Sequence, residues 1–354
     1  MGNLSKICSG EALKDFAPLW QSLCSRIPDC RIFQTFDWCW NAWECVLAPE
    51  AGNELYVLVW KQDGKDDIVI FPFYLDGTGS LRFIMDEHSD YCDCVYLPGR
   101  NHHLAFKDAL EFIKADKRVK QIALHKMDAD SEALNYFAAL VPQASVCKDN
   151  TYSWISLAPG DSFLTTQSQL KSADKVRIRG IKRKADRFEM KIYSLAEGVG
   201  YPDEIITGLV EKMKSLSLRG GDFMREGMIN FCRKLYEDGL SDIVVLYDSD
   251  GEAAIANYLL RMDGRLLSWV FLYSDSCAPT DLYVKYLCNK TITKQILFDF
   301  GSGGYEFKFR TFRPCTRALL GLNVILDQKL AMRFALRRTL RAAKDVLKLL
   351  LRKG

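Results

Sequence analysis

Only four histidines occur in this chain of 354 residues, and all four (His88, His102, His103, His125) lie in its first half. No stretch approaches the roughly 20 apolar residues that a transmembrane helix needs. The opening segment MGNLSKICSGEALKDF has no apolar leader core and carries acidic residues early, so no export signal is expected. The 12 cysteines are scattered, and only Cys92 and Cys94 sit close together. No second Cys or His pair at zinc-like spacing accompanies them, so no metal site is expected. A disulfide framework is not expected either in a chain of this size without an export signal. Free, mostly buried thiols and a cytoplasmic location are the expectation. His102-His103 reads as the polar start of a helix, with Asn101 placed to cap it.

What is present is a composition for packed domains. Hydrophobic residues make up 48% and aromatics 12%, with 7 Trp. Length alone suggests about two domains at roughly 100–200 residues each. The net charge of +3 is unevenly spread. Residues 328–354 hold nine basic residues and one acidic, and residues 171–191 hold nine basic and three acidic, leaving −11 on the rest. Two basic elements on an acidic body point to anionic partners at those places, or to two solvated helix faces.

An internal repeat organises the chain. Residues 57–85 and 244–272 each carry two Asp-Gly pairs. Asp63-Gly64 matches Asp250-Gly251 and Asp76-Gly77 matches Asp263-Gly264, both at an offset of 187. Asp-Gly between apolar, β-rich runs signals a hairpin, because type I′ turns need positive φ. Each segment therefore reads as three antiparallel strands joined by tight turns. A helical stretch and a strand follow in both copies: 104–116 then 120–127, and 281–292 then 294–301. Helices precede them at 16–26, 37–47, 201–216 and 225–239. A strand at 151–157 and a long helix over 161–187 close the first half and bridge to the second. This is a mixed α/β pattern, not an alternating βαβ run. The domains expected are 1–160, 161–326 and a C-terminal basic helix, 327–354.

Three segments carry a family resemblance. FQTFDWCWNAW (33–43), KVRIRGIKRKADRFE (175–189) and FDFGSGGYEFKFRTF (298–312) resemble, in order, motifs of the GNAT acyltransferases associated with bacterial cellulose biosynthesis. The last is the most specific. Phe307 stands where that family has Tyr before its Lys, here Lys308, and Gly304 stands where it has an acidic residue. The chain is also similar to the Fem-type transferases, tandem GNAT proteins that use aminoacyl-tRNA. The resemblance implies a tandem duplicated GNAT-like fold with a mixed sheet, acyl transfer to an amine or hydroxyl, including that of a sugar in polysaccharide or cell-envelope synthesis, and acyl-CoA as donor.

Acyl transfer needs a held donor, a nucleophile that loses its proton and a stabilised oxyanion. By resemblance the donor lies between two splayed strands, 266–273 and 296–301, its diphosphate at the following helix N-terminus. Ser274, Ala278, Pro279 and Thr280 are the donor-loop candidates, and Pro279 suits a first helical turn. The glycine-rich loop of ordinary GNAT enzymes is missing there, and Asp275 and Asp281 add negative charge. Arg179 and Arg183 are candidates for holding phosphates. Asp299, flanked by Phe298 and Phe300, is a costly carboxylate unless it is paired or used. It is a catalytic candidate together with Tyr305, Lys308 and His88. The competing reading pairs Asp299 with Lys308 or Arg310 on a following strand. Trp38, Asp90 and Tyr91 are candidates for the acceptor side, and core packing is the alternative for Trp38. Two further readings stay open: a Fem-like transferase taking aminoacyl-tRNA, and a non-catalytic tandem GNAT binding protein. From 329 to 353 one apolar stripe (Leu336, Leu340, Ala343, Leu347, Leu350) runs beside one basic stripe (Arg337, Arg341, Lys344, Lys348). Such a helix suits an anionic membrane surface, as well as docking on its own domain.

Overall fold

The computed structural model of the chain describes residues 2–62, 64, 67–141, 144–159, 172–220, 222–262, 264–290, 292–327 and 332. The expected C-terminal helix over 329–353, and the part of the expected long helix at 161–171, lie outside the described residues apart from position 332.

The first half runs β1 (Gly2–Ile7), α1 (Gly10–Asp15), α2 (Ala17–Cys24), α3 (Phe36–Ala42), β2 (Glu54–Gln62), β3 (Ile68–Leu75), β4 (Ser80–Phe83), β5 (Val95–Tyr96), α4 (His103–Ala115), β6 (Gln121–Asp128), α5 (Glu132–Leu140) and β7 (Ser145–Leu157). The second runs α6 (Ser172–Ala185), β8 (Glu189–Tyr193), α7 (Asp203–Ser215), α8 (Glu226–Glu237), β9 (Ser241–Tyr247), β10 (Ala253–Met262), β11 (Arg265–Tyr273), α9 (Pro279–Asn289), β12 (Ile296–Ser302), α10 (Glu306–Phe312) and β13 (Cys315–Ile325). By contacts the chain forms two compact units. One holds residues 1–29, 50–149 and 320–354, the other residues 30–49 and 150–319.

Both units repeat one sheet order. In the first, β1, β2, β3 and β4 are antiparallel neighbours, β4 is parallel to β6, and the end of β13 lies beside β6. In the second, β8, β9, β10 and β11 are antiparallel, β11 is parallel to β12, and the end of β7 is antiparallel to β12. A helix connects the parallel pair in each, α4 and α9, as a parallel crossover requires. The duplication is thus a property of the fold.

The turns agree only in part with the Asp-Gly expectation. Gly64 and Gly251 both adopt left-handed backbone, with φ of +67° and +79°, but at different places: Gly64 stands two residues after β2 and Gly251 two residues before β10. Gly264 closes a two-residue hairpin at φ +69°. Gly77 does not share that role. The β3–β4 loop has four residues, and its left-handed residue is Gly79 at φ +88°. There Asp76 Oδ1 accepts from the Thr78 and Ser80 N–H groups at 2.9 Å each, an Asx-type turn instead of a type I′ turn.

Each unit has its own core. In the first, Phe71, Phe73, Phe83, Phe106 and Phe137 are fully buried, with Cys92 and Cys94 among the same cluster. In the second, Tyr283 of α9 is the hub: Phe271, Phe298, Phe300 and Phe312 meet its ring nearly edge-on at 5.1–5.8 Å. Edge-to-face contacts of this kind add roughly 0.5–1.5 kcal/mol beyond area burial.

Candidate active site

The second unit holds a parallel strand pair that comes apart, with Asp299 at its last paired position. β11 and β12 pair only from Arg265↔Leu297 to Leu267↔Asp299, although β11 runs on to Tyr273 and β12 to Ser302. On its other side β11 meets a slip of register against β10, between Asn257 and Leu259. At the slip Asn257 is fully buried. Its Nδ2 donates to Val270 O at 3.0 Å, and its Oδ1 accepts from Ser268 Oγ at 3.0 Å. That commits the Ser268 proton, so Tyr283 Oη, 3.0 Å away, donates to Ser268. A buried polar chain therefore fixes β11 where its ladder to β12 ends. A fully satisfied chain of this kind rigidifies its surroundings.

Asp299 sits at the last paired position and is fully buried. Its Oδ2 accepts from Arg265 Nη1 at 3.0 Å, and its Oδ1 accepts from the Gly301 N–H at 2.8 Å. The carboxylate thus bridges the start of β11 to the end of β12, where its register against β7 shifts between Asp299 and Ser302. Gly301 and Gly303 adopt φ of +71° and +105°. A Cβ on Gly303 would meet the Tyr305 ring at 2.4 Å, so only glycine lets that ring lie against the turn. Lys308 is buried, and its Nζ donates to Phe300 O at 2.6 Å and Ser302 O at 3.1 Å. The same ammonium stands 5.0 Å from the Tyr305 ring centroid. Tyr305 is 53% exposed. Asp299, Tyr305 and Lys308 are thus brought together around one turn. The segment carrying Lys308 and Arg310 is a helix, α10, not the strand expected. Burial of Lys308, Thr311 and Phe312 follows the helical period.

The donor loop is built differently from a phosphate cradle. Ser274 is buried, and its Oγ donates to Ala254 O at 3.0 Å. Pro279, at the first turn of α9, has no N–H to offer. Asp281 is buried and reaches back to the Ala278 N–H at 3.0 Å. Lys184 of α6 neutralises it at 2.8 Å. The positive end of the α9 dipole is therefore already occupied by a carboxylate of its own helix. Burial and the neighbouring Asp281 push the Cys277 thiol up to about 12, so it stays protonated. On α6, Arg179 and Arg183 are exposed one turn apart.

Trp38 is a correction. It is fully buried, with ring centroids of Phe33, Phe231 and Trp269 at 4.6, 4.9 and 5.1 Å, and offers no face to a saccharide. In the first unit, His88 and Asp90 are half-buried in the loop after β4, and Tyr91 is buried. Beside them Asp86 is 1% exposed and pairs with Arg82 at 3.1 Å; burial pushes its carboxyl above the usual range, against the pull of Arg82. Asn101 Oδ1 accepts from the His103 N–H at 3.1 Å, an Asx-type turn one residue ahead of the N-cap, which is His102 and not Asn101. The sequence reading missed a buried pair: His102 Nε2 lies 3.1 Å from Asp67 Oδ1. The carboxylate can only accept, so Nε2 carries the proton. These partners are 35 residues apart, and no local signal joins them. Among the described residues no group of three or more His, Cys, Asp and Glu side chains could hold a metal ion.

No protein-family profile matches the chain, and no curated protein matches it. Solved structures do, over nearly its whole length. The C-terminal domain of a candidate lysylphosphatidylglycerol synthetase from Agrobacterium fabrum is 11% identical, covers 94% of this chain and 96% of its own, and superposes with a TM-score of 0.55. FemX is 11% identical over 93% of this chain and 99% of its own, with a TM-score of 0.52. A tandem GNAT protein from the clavulanic acid biosynthesis pathway is 10% identical over 92% and 99%, with a TM-score of 0.50. The chain has the tandem GNAT-type fold. The narrower likeness to the cellulose-associated family rests on the sequence motifs alone.

Proposed function

We propose that this chain is a transferase that moves an acyl or aminoacyl group onto an amine or hydroxyl, with the chemistry in the second unit. The carrying observation is the broken β11–β12 ladder with Asp299, Tyr305 and Lys308 at its end, in a chain of tandem GNAT fold. In this reading an extended donor arm takes the place of the missing ladder partners. Tyr305, exposed and beside the Lys308 ammonium, supplies the proton to the leaving group. Lys308 and Asp299 act as positioning residues, holding the turn that presents Tyr305. Acyl-CoA is the donor that the sequence resemblance implies.

A second donor is favoured by α9. Its N-terminus is filled by Asp281, and Asp275 adds a further charge. A carrier that brings no diphosphate to that helix, such as an aminoacyl-tRNA, does not need the helix end that Asp281 occupies. The exposed Arg179 and Arg183 give a phosphodiester backbone a cationic surface. A saccharide acceptor finds no stacking platform at Trp38. Transfer assays with acetyl-CoA, a long-chain acyl-CoA and charged tRNA decide the matter. Turnover of either thioester supports the first donor, and turnover of charged tRNA alone supports the second. Activity with none of the three, across amine and hydroxyl acceptors, overturns the transferase reading and leaves a binding protein.

A further inference from the structure

The second unit holds a cavity that the transfer reading does not use. It has a volume of about 600 Å³ and lies at the edge where β10 ends, β11 and β12 begin and α9 runs out. Four cations from three segments line it: Arg261, Arg265, Lys290 and Lys294. Among the described lining residues there is no carboxylate. Asp242 and Asp299, which pair with Arg261 at 3.2 Å and Arg265 at 3.0 Å, lie outside the lining. The lining also has apolar side chains, Met262, Leu266, Ile292 and Ile296, of which Ile292 is buried and Ile296 half-buried.

We infer that this cavity binds a small phosphorylated molecule of the nucleoside diphosphate class. Three features select that chemistry. Two guanidinium forks match phosphate oxygens in pairs, and two ammonium groups add point charge. Cations from three separate segments suit a ligand with more than one negative charge, where a single carboxylate would engage one of them. The volume falls within the range of small-molecule sites, roughly 300–1,000 Å³, and a lining that combines apolar with cationic side chains suits a flat base joined to phosphates. A nucleic-acid backbone would instead track an open surface. The site is also wired to the strand pair. Arg265 lines the cavity and holds Asp299, so an anion that draws on this guanidinium alters the hold on the Gly301 turn.

The test uses the full-length protein with ADP and inorganic pyrophosphate as probes, read by calorimetry and by thermal shift. ADP is expected to bind saturably and more tightly than pyrophosphate, because only ADP has a base to use the apolar lining. Lys290→Glu, a half-exposed position whose ring contact is to Tyr286, is expected to weaken ADP binding at least about tenfold, as loss of a charge-assisted contact does. Its unliganded melting temperature and circular dichroism confirm folding. Lys114→Glu, at an exposed position of α4 in the first unit, is the control and is expected to leave binding unchanged. Three results overturn the inference: no saturable binding of either probe, binding unaffected by Lys290→Glu in a folded variant, or equal loss with Lys114→Glu. None of these bears on transferase activity, so the two readings fail separately.

Discussion

At the scale of single residues, burial of charge separates structural from chemical roles. Asp299 was conspicuous in the sequence because two phenylalanines flank it. Its partner Arg265, 34 residues earlier, was not, since pairing across a crossover leaves no local trace. Arg265→Ala leaves a fully buried carboxylate without that partner. Denaturant unfolding is expected to show a loss of roughly 3–5 kcal/mol, while replacing both members with apolar residues of similar volume restores most of it. A cost under about 1 kcal/mol for the single change would show that the pair is not what compensates the buried charge. Tyr305→Phe is the complementary case. On an exposed ring it is expected to leave stability within about 0.5 kcal/mol and to lower turnover about 100-fold, the scale of general acid catalysis. Unchanged turnover removes Tyr305 from the mechanism. In the first unit, the Arg118 guanidinium hydrogen-bonded to Asp116 holds that carboxyl down to about 2. Its share of stability is present above the unfolded carboxylate value, roughly 4, and is lost as pH falls through about 2. Asp116→Asn should therefore flatten the acid-side decline of the melting temperature between those values and leave the neutral plateau sloping as before.

At the scale of elements, the repeat was legible because turn chemistry is local, while the ends of each sheet were not. The strands β2, β3, β9, β10 and β11 were expected from their apolar runs. β1, GNLSKI, has too few apolar residues to announce a strand. It forms because β2 is long enough to pair it over six residues. The segment Tyr305-Glu306-Phe307-Lys308-Phe309-Arg310 alternates like a strand and folds as the helix α10. Gly303 and Gly304 break the extended run, and burial of Lys308 against strand carbonyls outweighs the local pattern. The donor loop was read correctly as glycine-poor. What the sequence could not convey was that Asp281 turns back on its own helix. Asp281→Ala should cost about 1 kcal/mol in thermal or denaturant unfolding, as loss of an N-terminal capping interaction does. A neutral result would show that water replaces the carboxylate at no cost.

At the scale of the whole molecule, no helix among the described residues is long and apolar enough to cross a membrane. Any membrane contact is expected to come from the basic stripe of residues 329–353, at roughly 1 kcal/mol per basic side chain near anionic lipid. Full-length protein is expected to co-sediment with phosphatidylserine-containing vesicles at low salt, and a chain ending at Asp327 is expected to stay in the supernatant. Equal sedimentation of the two rules the tail out as a membrane anchor. The partition of the sequence has a consequence in time as well as in space. The boundary between units runs through β7 and β13, so the first unit's sheet takes in a strand segment, 320–325, from the far end of the chain. A ribosome delivers that segment only after the second unit has emerged almost entire. The first unit must therefore wait for the last strand with its parallel edge at β6 unfilled, and synthesis of the chain is a race between that strand's arrival and whatever else can pair there.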